Sequence, residues 1–339
     1  MKNSPLLFTV LLVALLQMQG QAQDRFRVNN TGASASFTDL AAAVSGASTS
    51  DILIVEHSDS KYSVTPTDIN KLLTVYGTGY YLEDNDSTQA DIRTSSVGTL
   101  NITTDGVTIS GITADTIKIN ANNVIVERCL ILEHLAVGDE VAVVDAAIVR
   151  QCFIEGSASH LVKVDNATNL IFSNNFVNNT DIAASNNFVM ELGTTALILN
   201  NLFFGEADNI FRNASVANNY FEKSEIDGVN SSNIIVKGNY AEGVFLEAYQ
   251  GLGFANSFAP DTMFRPPVGS RDKRYGLRPL VSPGLNAGID GKDIGIFGGS
   301  YPYVPSGMPP IPSIWFYEQN DTAPENGTID VQIKSKSHK

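Results

Sequence analysis

The sequence predicts an all-β fold, a parallel β-helix (a solenoid) of about nine coils, with an N-terminal capping helix and a C-terminal extended tail that carries a β-hairpin. Three observations lead to this prediction. A segment such as LIFSNNFV, residues 170–177, recurs with variations along the chain. The recurrences lie 17 to 26 residues apart, which is typical of a solenoid whose coils differ in their loops. Each segment is short, rich in β-branched residues and bounded by turn-forming residues, as strands are.

The aligned segments share an apolar fourth position. Position one of the seven copies is Gly106, Asn123, Ala146, Asn169, Thr195, Asn213 and Asn233. Position four is Ile109, Val126, Val149, Phe172, Ile198, Val216 and Val236. Equivalent residues of adjacent coils stack about 4.8 Å apart in a parallel solenoid. Position four is therefore predicted to form a column that points into the core.

The seventh position predicts a structural ladder at a bend. Its last four members are Asn175, Asn201, Asn219 and Asn239. A side-chain amide can bond to the amides above and below while it tolerates the backbone angles of a turn. Cys129 and Cys152 occupy the same position in two earlier coils. They are either two small buried side chains or a strained disulfide, since the Cα spacing of adjacent coils permits a bond.

The chain divides into five predicted regions. Residues 1–22 read as a signal peptide cleaved near Ala22, with Lys2 ahead of an apolar run at 6–16. Residues 23–50 form an N-terminal cap and residues 51–250 the β-helix. Residues 251–300 form a C-terminal cap, and residues 301–339 a proline-rich tail with two strands. The expected location is therefore secreted or at the cell surface.

Composition excludes several classes of partner. The chain has 22 basic and 36 acidic residues, a net charge of −14, which argues against nucleic acid and anionic membrane surfaces. The apolar run near the N-terminus is too short to span a bilayer, so membrane insertion is not expected. The four histidines share no aligned position, so no metal site is predicted.

Three further segments carry a family resemblance. FTDLAAAVSGASTSDILIVEHSDSKY at 37–62, KLLTVYGTGYYL at 71–82 and SPGLNAGIDGKDIGIFGG at 282–299 resemble the entry, second coil and closing segment of known proteins. These are the right-handed parallel β-helix proteins of the pectate-lyase-like superfamily, of the secreted bacterial type. The resemblance implies a polysaccharide as a possible partner. For a lyase it also implies calcium held by an acidic cluster; otherwise no cofactor is expected.

The tenth and eighth positions supply the candidate site. Glu222 and Glu242 lie at position ten of adjacent coils, with Lys223 next to the first. Two close carboxylates can share a cation or act as nucleophile and acid on a sugar; the alternative is an ordinary solvated face. Tyr220 and Tyr240 share position eight and form either a sugar-stacking platform or part of a packed strand.

Two groups of basic residues are further candidates. Arg128 and Arg150 lie on adjacent coils and could grip an anionic sugar, although a cross-strand salt bridge of Arg150 with Glu127 is the simpler interpretation. Residues 265–278 hold the densest basic cluster. Its members are Arg265, Arg271, Lys273, Arg274 and Arg278. The cluster either contacts an acidic polysaccharide or neutralises carboxylates where the cap docks on the rod.

Position three is apolar although it should face outward. The tail at 301–318 is expected to cover this stripe; the alternative is a partner protein. The chain lacks a recognisable calcium cluster and has short loops between most coils. These features favour a non-catalytic scaffold or glycan-binding protein. The alternative is a polysaccharide lyase or glycoside hydrolase that acts on a possibly acidic polysaccharide.

Overall fold

A computed structural model of the protein describes residues 23–139, 143–180, 186–227, 230–237, 239–242, 254–257, 259–265, 271–289, 291–319 and 331–338. Side chains at 236–237, 241–242, 254–257 and 260 are excepted from the description. The predicted signal peptide at 1–22 lies outside the described residues. No helix in the described part of the chain has the length and apolar character needed to cross a bilayer.

A ten-stranded parallel sheet, the first sheet, runs the length of the rod. Its strands, in spatial order, are Arg25–Val28, Ile52–Val55, Thr74–Tyr76, Thr108–Ser110, Ile125–Glu127, Ile148–Arg150, Leu170–Ser173, Ala196–Leu199, Ala214–Ala217 and Ile235–Lys237. Every neighbour in this order follows in sequence after one turn of the helix. Arg25–Val28, predicted as part of the cap, instead pairs with Ile52–Val55 as the first strand.

A second sheet of thirteen strands closes the coils. Its long early strands are Ser96–Ile102, Thr113–Ile119 and Leu130–Val137, and Thr67–Ile69 pairs with the first of them. Beyond these the sheet splits. The main branch is Phe153–Gly156, Phe176–Asn179, Leu202–Phe204, Tyr220–Glu222, Asn239–Glu242 and Phe254–Ser257, and the side branch is His160–Val164, Asn186–Met190 and Asp208–Ile210. A short bridge pairs Val144–Asp145 with Ala167–Thr168.

The pairing register confirms the predicted parallel β-helix. In the first sheet Val149 pairs with both Val126 and Phe172, so position four stacks on position four. In the main branch Phe176 pairs with Phe153 and Leu202, so position eight stacks on position eight. Like residues therefore form columns along the rod, as the repeat predicted.

The core lies inside the coils. Position four is fully buried in the six copies whose side chain is described, and position nine, for example Ile154 and Phe203, joins the same cluster. The helix Leu40–Gly46 closes the N-terminal end because Leu40, Ala43 and Val44 turn into that cluster. Asp39 caps the helix: its side chain accepts a hydrogen bond from the Ala42 backbone N–H.

Position eight faces outward and is covered by the C-terminal part of the chain. Phe153, Phe176 and Tyr220 form a second buried cluster with residues of 263–303, among them Phe264 and Tyr275. The short helices Pro260–Met263, Lys273–Tyr275 and Pro305–Gly307 lie in this covering segment, and Leu82–Asp84 lies in an earlier loop. The cover therefore lies on the second sheet. The prediction that the tail covers position three is wrong for the described residues, since Leu197 and Ile235 stay exposed.

The end of the chain forms an antiparallel hairpin, here called the tail hairpin. Its strands are Pro312–Gln319 and Val331–Ser337. It contacts the loop that follows the third strand of the first sheet: the Ala90 N–H donates to the Ile314 carbonyl (2.8 Å), and the Ser313 hydroxyl donates to the Thr88 carbonyl (2.7 Å). The hairpin thus lies at the N-terminal end of the rod.

Candidate functional site

A cleft of about 770 Å³ opens between the main branch and the C-terminal segment. It lies at the ends of three neighbouring strands, Phe176–Asn179, Leu202–Phe204 and Tyr220–Glu222. Its lining is Asn178, Asn179, Thr180, Phe204, Gly205, Glu206, Glu222, Lys223, Asp261, Phe264, Arg265, Arg274, Tyr275 and Arg278. Gly205 has φ +94°, and a Cβ there would come within 2.7 Å of the Asn179 carbonyl, so the turn requires glycine.

Aromatic packing fixes the floor of the cleft. The Tyr275 ring lies 4.6 Å from Phe176 and 5.0 Å from Phe204, centroid to centroid, and Phe264 packs edge-on against Tyr220 at 4.9 Å. These rings are buried. Burial raises the pKa of the Tyr275 phenol, and the Arg274 guanidinium opposes the rise. The C-terminal wall is therefore packed on the rod by apolar contact, while the charged residues that it contributes to the cleft lining, Asp261, Arg265, Arg274 and Arg278, are exposed.

The charges of the cleft differ from those of the whole chain. Four basic side chains line it, Lys223, Arg265, Arg274 and Arg278, against three acidic ones, Glu206, Glu222 and Asp261. The Arg274 guanidinium donates to the Tyr275 hydroxyl (2.6 Å) and lies 4.9 Å from the ring centroid. Arg278 donates to the Asp261 carbonyl (2.8 Å). These contacts orient the guanidinium groups at the rim, where an anion can reach them.

The structure brings part of the predicted site into this cleft. Glu222 and Lys223 lie in its wall, together with three members of the basic cluster. Glu222 pairs with Glu242 in the register of the main branch, but the Glu242 side chain lies outside the described residues. Within the described residues no group of three His, Cys, Asp or Glu side chains is placed to hold a metal ion.

The predicted tyrosine platform is not accessible to a ligand. Tyr220 is fully buried and Tyr240 nearly so, both under the C-terminal segment. The Tyr240 hydroxyl donates to the Pro283 carbonyl (3.0 Å). The sugar-stacking interpretation is therefore wrong for these rings, because position eight packs against protein.

Arg128 and Arg150 contact the protein itself. Arg128 is buried and donates to the Met308 carbonyl (2.9 Å) and to the Gln151 side chain (3.2 Å). Arg150 pairs with Glu127 (2.6 Å), and its guanidinium lies 4.4 Å from the Tyr301 ring centroid. The predicted sugar contact is therefore not available at Arg128, and the cross-strand salt bridge is the arrangement present at Arg150.

The position-seven asparagines form a continuous hydrogen-bonded column. The Asn201 side-chain oxygen accepts from the backbone N–H (2.9 Å) and the side-chain amide (3.1 Å) of Asn175, and the Asn201 amide donates to Asn219 (3.0 Å). Asn219 and Asn239 repeat the pattern. Cys152 donates its backbone N–H to Asn175 (2.9 Å), while Cys129 and Cys152 are buried free thiols. Burial raises the pKa of the Cys152 thiol.

Position six, which sequence reasoning missed, holds the C-terminal segment. Its six members among the described residues have positive φ, from 55° to 73°: Gly111, Arg128, Gln151, Asn174, Asn200 and Asn218. The five that carry a side chain bind successive carbonyls or N–H groups of that segment. Asn174 donates to the Ile296 and Gly298 carbonyls (2.9 and 2.7 Å), and Asn218 accepts from the Ile289 N–H (2.9 Å). The sequence marks this position in three coils, where it is the first Asn of the pairs at 174–175, 200–201 and 218–219.

We expect Asn200→Gly to loosen the C-terminal segment without changing the fold. The Asn200 amide donates to the Asp293 and Gly295 carbonyls (3.1 and 3.4 Å), and glycine tolerates the same backbone angles. The expected loss of stability is about 1 to 2 kcal/mol, with faster amide hydrogen exchange at 291–299. The matched control is Asn169→Gly, also at positive φ but at the other end of a first-sheet strand, directly before Leu170–Ser173. Equal exchange at 291–299 in both variants would contradict the role of position six.

No family model matches the chain, and no curated protein matches it. Among solved structures the chain is similar to the crystal structure of pectate lyase Pel9A, with 12% identity and a TM-score of 0.44 over 80% of this chain and 96% of that chain. The strand pairing, rather than this likeness, establishes the parallel β-helix.

Proposed function

We propose that the protein binds an anionic polysaccharide in the cleft and acts as a glycan-binding scaffold outside the cell or at its surface. One observation carries the proposal: four basic side chains line a single cleft on a chain whose net charge is −14. A uniformly acidic surface would repel a polyuronate, so local excess of positive charge is what such a ligand needs. Arginine suits the carboxylates because its planar group binds them through two parallel hydrogen bonds.

The polar groups of the opposite wall complement the arginines. Asn178 and Thr180 line the cleft with their polar side chains, and Tyr275 and Phe204 supply apolar surface at the floor. Polar groups that fix orientation above an apolar floor are typical of small-molecule and sugar sites. The location outside the cell follows the predicted signal peptide and the family resemblance, both of which are part of this proposal.

The test is a binding and turnover screen on residues 23–339. The chain is titrated with a polyuronate and with a neutral polysaccharide of similar length, and unsaturated product and new reducing ends are read from the same samples. We expect binding to the polyuronate that weakens with added salt, because the charges are at the surface. Equal affinity for the neutral polymer would contradict the proposal.

We expect Arg278→Ala to weaken polyuronate binding by at least about tenfold, since a hydrogen bond to a charged group contributes about 1.5 to 3 kcal/mol and each 1.4 kcal/mol is about tenfold in affinity. Isothermal titration calorimetry measures the change. The matched control is Arg25→Ala, which removes an exposed arginine on the first strand of the first sheet, far from the cleft. If both variants bind like the parent chain, the cleft is not the binding site.

A lyase is the second candidate, favoured by Lys223. This lysine lines the same cleft as the three arginines. The arginines would neutralise the carboxylate of a bound uronate, and the Lys223 amine would be within reach of the proton next to that carboxylate. If the screen yields unsaturated product and the Lys223→Gln variant yields none, a lyase replaces the scaffold as the proposed function. Unchanged behaviour of Glu222→Gln would remove the paired-carboxylate hypothesis.

A further inference from the structure

An exposed arginine stacks on a tyrosine beside the cleft. The Arg271 guanidinium lies 5.2 Å from the centroid of the Tyr81 ring and donates to the Tyr81 hydroxyl (3.3 Å). Arg274 makes the same two contacts with Tyr275 in the cleft, at 4.9 and 2.6 Å. Both arginines are exposed. The protein therefore presents two units of one construction, here called the outer unit (Arg271 on Tyr81) and the cleft unit (Arg274 on Tyr275).

The two units follow one another along the rod. The Tyr81 ring packs edge-on against Phe153, with 5.5 Å between the ring centroids. The Tyr275 ring lies against Phe176 and Phe204. Phe153 pairs with Phe176 in the register of the main branch, and Phe204 belongs to the coil after Phe176. Since adjacent coils are about 4.8 Å apart, the outer unit is displaced by roughly 5 to 10 Å from the cleft unit, toward the N-terminal end of the rod.

One carboxylate lies close to both units. Burial is the main cause of the raised pKa of the Tyr81 and Tyr275 phenols, and the negative charge of Glu155 adds to the rise in both. The same charge contributes to the raised pKa of Arg271, after the hydrogen bond with Tyr81. Glu155 is partly exposed. A carboxylate accepts hydrogen bonds, which sugar hydroxyls donate, so Glu155 suits the uncharged part of a ligand between two anionic groups.

Buried hydrogen bonds hold the outer unit together. Tyr81 and Arg271 come from segments 190 residues apart. Asp272 is fully buried and accepts from the side-chain amide of Asn85 (2.9 Å), which directly follows the short helix after Tyr81. The Ser306 hydroxyl donates to the Tyr81 carbonyl (3.0 Å), and the Ser306 backbone N–H donates to Asp272 (2.5 Å). Tyr81 has φ +48°, which an aromatic residue keeps only where its surroundings fix it. The outer unit is therefore preformed.

We propose that Arg271 and Tyr81 form a second uronate subsite, so that one polyuronate chain lies along the rod over both units. This inference rests on the proposed function of the cleft. The hydrogen bond to Tyr81 uses one of the five guanidinium N–H groups, and an exposed planar guanidinium binds a carboxylate through two parallel hydrogen bonds. Two like units suit a polymer with repeated carboxylates, because a chain bound at one unit meets the other at high effective concentration. A monosaccharide gains nothing from the second unit.

Uronate oligomers of different length test this arrangement. Residues 23–339 are titrated by calorimetry with oligomers of two and of eight units. We expect Arg271→Ala to weaken binding of the eight-unit oligomer about tenfold and to leave binding of the two-unit oligomer unchanged. Arg278→Ala, in the cleft, is expected to weaken binding of both oligomers. Arg25→Ala, on the first strand, is the control and is expected to weaken neither.

Further measurements separate binding from folding. Because Arg271 is exposed, Arg271→Ala is expected to keep the urea midpoint of the parent chain. Arg271→Lys keeps the charge but not the planar group, so it is expected to recover only part of the lost affinity. In the parent chain, the eight-unit oligomer is expected to slow amide hydrogen exchange at 80–85, whereas the two-unit oligomer slows it only at the cleft.

The outcomes distinguish this subsite from the cleft. If Arg271→Ala binds both oligomers like the parent chain while Arg278→Ala weakens both, the second subsite is wrong and the proposed function stands. Equal weakening of both oligomers by Arg271→Ala would also overturn the second subsite, because Arg271 would then belong to the cleft. If neither oligomer binds the parent chain, both proposals fail.

Discussion

Asn201→Leu is expected to destabilise the protein by about 4 kcal/mol, a large share of the roughly 5–15 kcal/mol typical of a folded domain. Asn201 is fully buried and takes part in the ladder on both sides. Leucine matches its size but accepts no hydrogen bond, so the Asn175 N–H loses its acceptor. The Asn201 side-chain amide also donates to the Phe172 carbonyl (3.0 Å), and leucine has no donor to replace it. Each buried polar group left without a partner costs about 1–3 kcal/mol.

Urea unfolding followed by circular dichroism measures this loss. The control is Asn101→Leu, a partly exposed asparagine on the second sheet whose side-chain amide donates to the exposed Asp68 side chain (2.9 Å). It is expected to change stability by less than about 0.5 kcal/mol. An Asn201→Leu variant as stable as this control would mean that the column contributes nothing to the fold.

Phe176→Ala is expected to cost about 4 kcal/mol and to weaken the cleft as well. The Phe176 ring is 1% exposed, stacks on Phe153 at 4.2 Å, and touches Phe204 and Tyr275. Truncating a buried phenylalanine leaves a cavity and removes apolar burial, at a typical cost of about 3–5 kcal/mol. Because Tyr275 rests on this ring, the wall that carries Arg274 loses its support.

Two measurements separate the global effect from the local one. Urea unfolding reports the loss of stability, and hydrogen exchange at 271–278 under native conditions reports loosening of the cleft wall. Leu132→Ala, a 38% exposed residue on the second sheet, serves as the matched apolar truncation. Loss of stability with unchanged exchange at 271–278 would show that Phe176 does not hold the wall.

Much of the fold is predictable because residues at the same position of successive repeats stack in one column. Position four is apolar in all seven copies and position seven is asparagine in four consecutive ones, so their places in the coil follow from identity alone. Positions eight and nine are both apolar, and their direction depends on what covers the outer face. Only the packing of Tyr275 and Phe264 shows that position eight points outward.

The features that could not be predicted all depend on contacts between residues that lie far apart in the sequence. Position six is defined by its backbone angle, while its side chain varies among Gly, Arg, Gln and Asn, so residue identity marks it only in the three coils where it is Asn. Its partners lie far along the chain: Arg128 bonds a carbonyl 180 residues away. The cleft likewise joins residues 178–223 to 261–278. The sequence indicates Glu222 and Lys223 as one candidate group and the arginines as another. It does not show that the two groups line the same cleft.

The path of the C-terminal segment alters how the rod should come apart. Solenoids whose coils touch only their neighbours tend to lose coils from an end, one after another. Here the closing stretch retraces the coils in reverse, from Ile289 at Asn218 to Met308 at Arg128. No intermediate coil can detach while its neighbours keep this seam. We therefore expect the coils from Arg128 to Asn218 to unfold together in one cooperative transition rather than one after another.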